Sequence, residues 1–173
     1  SRNFAWVEGR AGWYENTYKF AKISVDEATG QESITFTKYN STDCKIVLDT
    51  EDDAAYVKLG SNWRIPTRQE WIELCQYTDR EEIKDVAEVV SYKFKSKISG
   101  LEDRYLIIRT VPYGRDVHLS PYRGGNITNC GYWTASRSNS ESNAFKYIIG
   151  INETHGSRRW FGRPIRPVYI YRE

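Results

Sequence analysis

Methionine is absent from the 173 residues, histidine occurs twice and cysteine three times. His118 and His155 have no second histidine or cysteine at ligand spacing, so no zinc-type cluster is offered. Cys44, Cys75 and Cys130 form no C-x-x-C pair, which removes support for zinc and for thioredoxin-type redox chemistry. One disulfide with one free thiol, or three reduced thiols, both fit that count. There is no G-x-S-x-G nucleophile turn, no phosphate loop and no alternating Asp-x-Asp-x-Asp calcium loop. No apolar run approaches the roughly 20 residues of a membrane-spanning helix. The carboxylate runs Glu51-Asp-Asp53 and Glu81-Glu82 suit the first turn of a helix better than a hydrolytic pair. The expectation is a non-enzymatic chain with no catalytic residue, metal or cofactor.

Hydrophobic residues make up 39 % and aromatic residues 14 %, too much for a disordered chain. The length suits a single domain over 1–173 with a real core. Opening at Ser1 without Met leads us to expect that a preceding stretch was removed, and that any membrane anchor lies outside this chain. The net charge of +2 is uneven: from Thr110 onward nine basic residues face four acids, and before it 16 face 19. That basic half has no lysine runs and no clustered stripe, so nucleic acid is not an expected partner.

Phe4–Val7 and Glu32–Tyr39 read as strands, the second half-buried by its alternation, with a polar turn over Val25–Gln31. Thr50 is placed to cap a helix over Glu51–Leu59, stopped by Gly60. Thr67-Arg-Gln-Glu70 is a capping box after Pro66, followed by an apolar stripe of Trp71, Leu74 and Cys75. Asp79–Val90 is open between a short third helix, capped at Asp79, and something else. Val89–Lys95 has the period of a strand and Arg104–Val111 reads as a buried one. Pro112–Cys130 is a long loop, which in a compact domain is usually functional. Tyr132–Ala135, Ala144–Ile149 and Arg166–Ile170 are the closing strands, with Pro167 suited to a strand start. Helices in one region with strands on both sides give an α+β class.

The segment from Arg137 to Arg163 is the richest in binding-type residues. Its candidates are Arg137, Asn139, Glu141, Asn143, His155, Arg158, Arg159, Trp160 and Phe161, joined by Arg123 of the preceding loop. Arginine and aromatic rings dominate binding hot spots, and planar amides, Arg and a Trp face also suit sugars. Ser136, Ser138, Ser140 and Ser142 read as a display loop. Asn40, Asn126 and Asn152 each head an N-x-Ser/Thr triplet, a short and common pattern.

Three phrases recur in order: Gly60-Ser-Asn-Trp-Arg-Ile-Pro-Thr67 with Glu70-Trp71, then Tyr132-Trp-Thr-Ala-Ser136, then Arg166-Pro-Val168. With Phe4-Ala-Trp-Val-Glu8, Thr37–Asn40 and Asp52–Ala55, they resemble the Fibrobacter succinogenes major paralogous domain, a family common in Bacteroidetes surface proteins and lipoproteins. The resemblance implies a C-type lectin-like fold with two helices and a mixed, mainly antiparallel sheet whose termini meet. It implies that Trp63, Trp71, Trp133 and Arg166 are framework, and that the stretch between Trp133 and Pro164 carries an exposed, variable surface. It also implies that the first N-terminal strand of the fold is missing. The calcium phrases of sugar-binding lectins and the redox cysteines of formylglycine-generating enzymes have no match here.

The resulting expectation is an extracellular or outer-membrane-surface binding module, adhesin-like, whose partner is a glycan or a host or cell-surface protein. Two alternatives stand beside it. One is an assembly module of a pilus tip or cell envelope, with an open edge that accepts a partner strand. The other is a display scaffold of a retroelement-diversified variable protein.

Overall fold

In the computed structural model, residues 19–84, 90–110, 131–159 and 163–171 are described. Within them the chain runs β1 (Ala21–Val25), β2 (Glu32–Phe36), α1 (Ala54–Leu59), β3 (Trp63–Arg64), α2 (Arg68–Tyr77), β4 (Thr78–Lys84), β5 (Val90–Ser96), β6 (Tyr105–Arg109), β7 (Gly131–Arg137), β8 (Asn143–Ile148), β9 (Glu153–Arg158) and β10 (Val168–Tyr169). Two helices among antiparallel strand pairs make this an α+β structure. The sheets are the hairpin β1–β2, the short pair β3–β10, and the triplets β4–β5–β6 and β7–β8–β9.

The second helix begins as its capping box dictates. Thr67 Oγ1 accepts from Glu70 N at 3.3 Å, and the Glu70 carboxylate accepts from Thr67 N at 2.8 Å. Arg64 adds a two-pronged ion pair to that carboxylate and, with burial opposing it, holds the carboxyl down at about 2. Trp71 is thereby set inward, 3 % exposed, and stacks on Tyr147 with ring centroids 4.3 Å apart.

The first helix departs from expectation. It starts at Ala54, and its cap is Asp53 rather than Thr50. One Asp53 oxygen accepts from Ala55 N at 2.8 Å and Tyr56 N at 3.2 Å, and the other accepts from Ile65 N at 2.8 Å. A carboxylate that satisfies three amides outcompetes a hydroxyl that caps one. Glu51 and Asp52 therefore precede the helix and do not serve its dipole.

Residues 79–82 are strand rather than a third helix. β4 follows α2 directly and pairs residue for residue with β5 from Thr78↔Ser96 to Lys84↔Val90. Seven strand pairs outweigh a single helical turn, whose nucleation is costly. The expected burial of two strands is also corrected. In β6 only Ile108 is fully inside, while Tyr105 and Ile107 are exposed, because one face alone meets the core. In β2 only Phe36 is buried: β1 covers its edge and, among the described residues, nothing comparable covers its faces. The strand expected at 4–7 and the loop at 112–130 lie outside the described residues. β1 and β9 were not foreseen: the Glu-Thr-His-Gly-Ser-Arg run of β9 has no apolar residue. The strand expected over Arg166–Ile170 is shorter, beginning at Val168 just after Pro167.

The larger core joins Trp71 to Tyr92, Phe94, Ile108, Tyr132, Tyr147 and Ile149. A smaller one of Ala55, Ile65 and Ala135 lies under Leu48, Trp63 and Ile165. Trp63 is thus half-buried framework, whereas Arg166 is exposed and not part of either core.

Candidate functional site

β7 is bonded along both edges. One edge pairs with β8, and the other receives short segments of loop: Trp133 N donates to Pro164 O at 2.9 Å, Ala135 N to Pro66 O at 2.8 Å and Arg137 N to Ile46 O at 2.8 Å. The β7–β8 register slips between Trp133 and Arg137. Such bulges bend a strand and re-aim its side chains, and they recur beside functional sites. Here the slip accompanies a small, partly open cleft of about 40 Å³. Its floor is apolar, with Leu48, Ile65, Trp133 and Ala135, and Tyr39, Arg137 and Arg159 also line it.

The residues singled out in the sequence divide between lining, rim and interior. Arg159 is the clearest correction. It is 4 % exposed, and its guanidinium donates to the carbonyls of Tyr39 (3.1 Å), Glu141 (2.9 Å) and Lys38 (2.9 Å). It also lies 4.8 Å from the Phe36 ring. It ties the 38–39 segment to the β7–β8 turn and is not a displayed arginine. Arg137 is half-buried; its Nη1 donates to Tyr39 O at 3.3 Å, and its buried Nε has no acceptor among the described residues. Glu141 accepts from Ser41 N at 2.5 Å, and the Ser41 side chain together with that amide holds its carboxyl below the usual range. Asn143 is half-buried at the start of β8 and Asn139 is exposed in the turn before it. His155 and Arg158 lie exposed on β9, His155 against Glu153 at 2.8 Å. Arg123, Trp160 and Phe161 fall outside the described residues.

The serine run is not an open display loop. Ser138 is buried, its hydroxyl accepts from Ser140 N and donates to Ser140 O, each at 3.3 Å, and the turn closes on itself. Nor is the stretch from Trp133 to Pro164 a continuous surface: Tyr147 and Ile149 in it are wholly buried. Antiparallel alternation sends every second residue inward.

Sequence reading missed Tyr39 and Lys38, which join the two phrases Thr37–Asn40 and Asp52–Ala55. Tyr39 OH donates to Asp52 at 2.6 Å and accepts from Asp49 N at 2.9 Å. Burial, then Asp52, pushes its hydroxyl above the usual range. Lys38 bridges Asp49, Glu51 and Asp52. Burial opposes the Asp52 charge, yet Lys38, Tyr39 and Lys19 hold that carboxyl at about 2. Asp49, Glu51 and Asp52 converge closely enough to ligate a cation. The Lys38 ammonium already occupies the middle of the group, so the arrangement is an internal ion network. The spacing of the two phrases was the available signal, but only folding brings them together.

Cys75 and Cys44 are free thiols, and burial pushes the Cys75 thiol up, away from reactivity. The Asn40 amide nitrogen donates to Phe36 O at 2.6 Å, while Asn152 accepts at its Oδ1 from Tyr147 OH at 2.6 Å. Asn126 lies outside the described residues. Comparison with family models, with curated proteins and with solved structures finds no match to this chain.

Proposed function

We propose that this chain is a single non-enzymatic binding domain of the C-type lectin-like type, displayed outside the cell or on the outer membrane. Its ligand, a glycan or a surface protein, docks over the small cleft at the β7 bulge. The observation that carries this reading is the pairing of an apolar floor with the buried, unaccepted Nε of Arg137. An unpaired buried N–H costs about 1–3 kcal/mol, which a ligand oxygen would recover. Asn139, Glu141 and Asn143 form the adjoining turn, so they are the polar groups nearest to hand for specificity. Nothing in the reading calls for calcium or nucleic acid.

The test is a glycan array run beside a panel of surface and matrix proteins, with wild type and Arg137→Gln, with and without EDTA. Binding that Arg137→Gln abolishes and EDTA leaves intact supports the cleft. Binding that survives Arg137→Gln rejects it. An assembly module is the second reading, favoured by the exposed Tyr105 (60 %) and Ile107 (43 %) of β6. Oligomers in solution, or capture of a β-strand peptide along β6, would move weight to it.

A further inference from the structure

The size of the cleft at the β7 bulge limits what can enter it. At about 40 Å³ it has room for about three water-sized groups, far short of a sugar ring. The side chains of Leu48, Ile65, Ala135 and Ala144 present only carbon to it. The backbone of that floor is already bonded: Ala135 N donates to Pro66 O at 2.8 Å, and Ala135 O accepts from Leu48 N at 2.9 Å. Arg159, on the same lining, places its guanidinium on three carbonyls. Arg137 stands opposite Ala144 across the β7–β8 pair. Its Nη1 donates to Tyr39 O at 3.3 Å, and its buried Nε has no acceptor among the described residues. The cleft therefore offers one N–H and a carbon floor.

A group that matches it is small, with one acceptor oxygen on one side and a methyl on the other. A carboxylate fails on its second oxygen, which asks for donors that a carbon floor lacks and is costly to bury without them. The Glu141 carboxyl, held low by Ser41 and then by the charges of Arg137 and Arg159, already supplies an anion to these guanidiniums. An acetyl group is neutral, small enough and two-sided in the required way. We propose that the cleft is an acetamido subsite for an N-acetylated amino sugar. The methyl rests on the floor beside Ala144, the carbonyl oxygen accepts from Arg137 Nε, and the sugar ring stays outside over the mouth. This rests on the cleft reading and names its ligand class. Outside, Ile46 (63 % exposed) and Val47 (41 %) give the ring an apolar lip. The exposed Asn139 in the adjoining turn offers an amide to ring hydroxyls. Those hydroxyls favour a sugar over an acetylated lysine, whose methylene stem would leave that amide unused.

The experiment titrates the ¹⁵N-labelled chain by NMR with N-acetylglucosamine, N-acetylgalactosamine, glucose, glucosamine or Nε-acetyl-lysine. The Arg137 Nε–H resonance is identified by its absence from Arg137→Gln. The N-acetyl sugars should shift that resonance, and glucose and glucosamine should bind at least about tenfold more weakly, the scale on which a filled apolar pocket discriminates. Ala144→Val, which fills the floor, should remove the preference for the acetylated sugars. The wild-type comparison decides the matter even where that variant does not fold. Equal affinity for glucose and N-acetylglucosamine, with the Arg137 resonance moving for both, overturns the acetyl assignment and leaves the cleft reading standing. N-acetyl sugars that bind without moving Arg137 overturn both. A response to acetyl-lysine alone overturns the sugar and assigns the subsite to acetylated protein. No response to any of these compounds overturns the proposal, while the protein panel still tests the cleft through Arg137→Gln.

Discussion

The two faces of the β7–β8–β9 sheet carry opposite chemistry one residue apart. Toward α2, Tyr147 stacks on Trp71 and Tyr132 lies tilted against it in a closed aromatic layer. Tyr147, wholly buried, still places its hydroxyl on Asn152 at 2.6 Å. Away from α2, Lys146 and Arg163 bury charge, and nearer the bulge the cleft opens beside Ala135 and Ala144. The first face is a closed aromatic core whose Tyr147 hydroxyl is matched, while Trp71 Nε1 has no acceptor among the described residues. The second places the charged Lys146 and Arg163 inside and leaves the Arg137 Nε without an acceptor among the described residues. Stability is concentrated on one side, and capacity to bind something is left on the other.

Breaking the finished face has the largest expected effect. Tyr147→Ala should cost about 3–5 kcal/mol, as large aromatic truncations in cores do, and chemical denaturation would measure it. A cost under about 1 kcal/mol would mean that the aromatic layer is not the core. The next largest concerns the cap that supports the cleft floor from below. Asp53→Ala strips the acceptor from Ala55, Tyr56 and Ile65, whose amides it holds at 2.8–3.2 Å. A loss of about 2–3 kcal/mol is expected, and Asp53→Asn should recover part of it.

The unfinished face should respond with the opposite sign. Lys146→Met is expected to stabilise the protein, by on the order of 2 kcal/mol at pH 7 in chloride buffer. The folded protein holds Lys146 at about 8 against 10.5 in the unfolded chain, so the unfolded state binds more protons in between. Wild-type stability therefore rises with pH from about 8 toward 10, and Lys146→Met lacks that rise. The paired carboxylates give a slope of the same sign in an acid window, because their charged forms are favoured by folding rather than penalised. Asp52 and Glu70 are both held at about 2, against 3.8 and 4.5 when unfolded. Their contribution is present above pH 4.5 and is lost as pH falls toward 2. Thermal unfolding across both windows checks the pair of slopes. The smallest effect on stability belongs to Arg137→Gln, within about 1 kcal/mol, because it removes one long bond to Tyr39 O. Its loss should be read in ligand binding instead.

Local rules were legible where one segment contains its own answer. The Thr67–Glu70 box lies within four residues, and α2 starts where those residues say. Gly60, with φ of 98°, ends α1 as a glycine should. The period-two run at 90–96 is a strand. Failures came where several local options were close and a distant partner chose. Thr50 and Asp53 both suit a helix start, and the amide of Ile65 favours Asp53. Residues 79–82 suit either helix or strand, and β5 imposes strand. β9 carries no apolar signal and is a strand because β8 pairs with it.

The candidate site shows the same division. The amino-acid sequence alone determined the α+β class, the second helix, most strand positions and a concentration of arginine near the end of the chain. It did not determine which arginines are inside. Arg159 looked displayed and is buried under three carbonyls, while Arg137, two turns of sequence earlier, borders the cleft. Lys146 drew no notice as a lone basic residue in an apolar strand. Only tertiary structure set it beside Arg163 on the face opposite Tyr147. The physical reason is range: caps, turns and periodicity act over a few residues, whereas burial and charge pairing depend on groups that fold together from far apart in the chain.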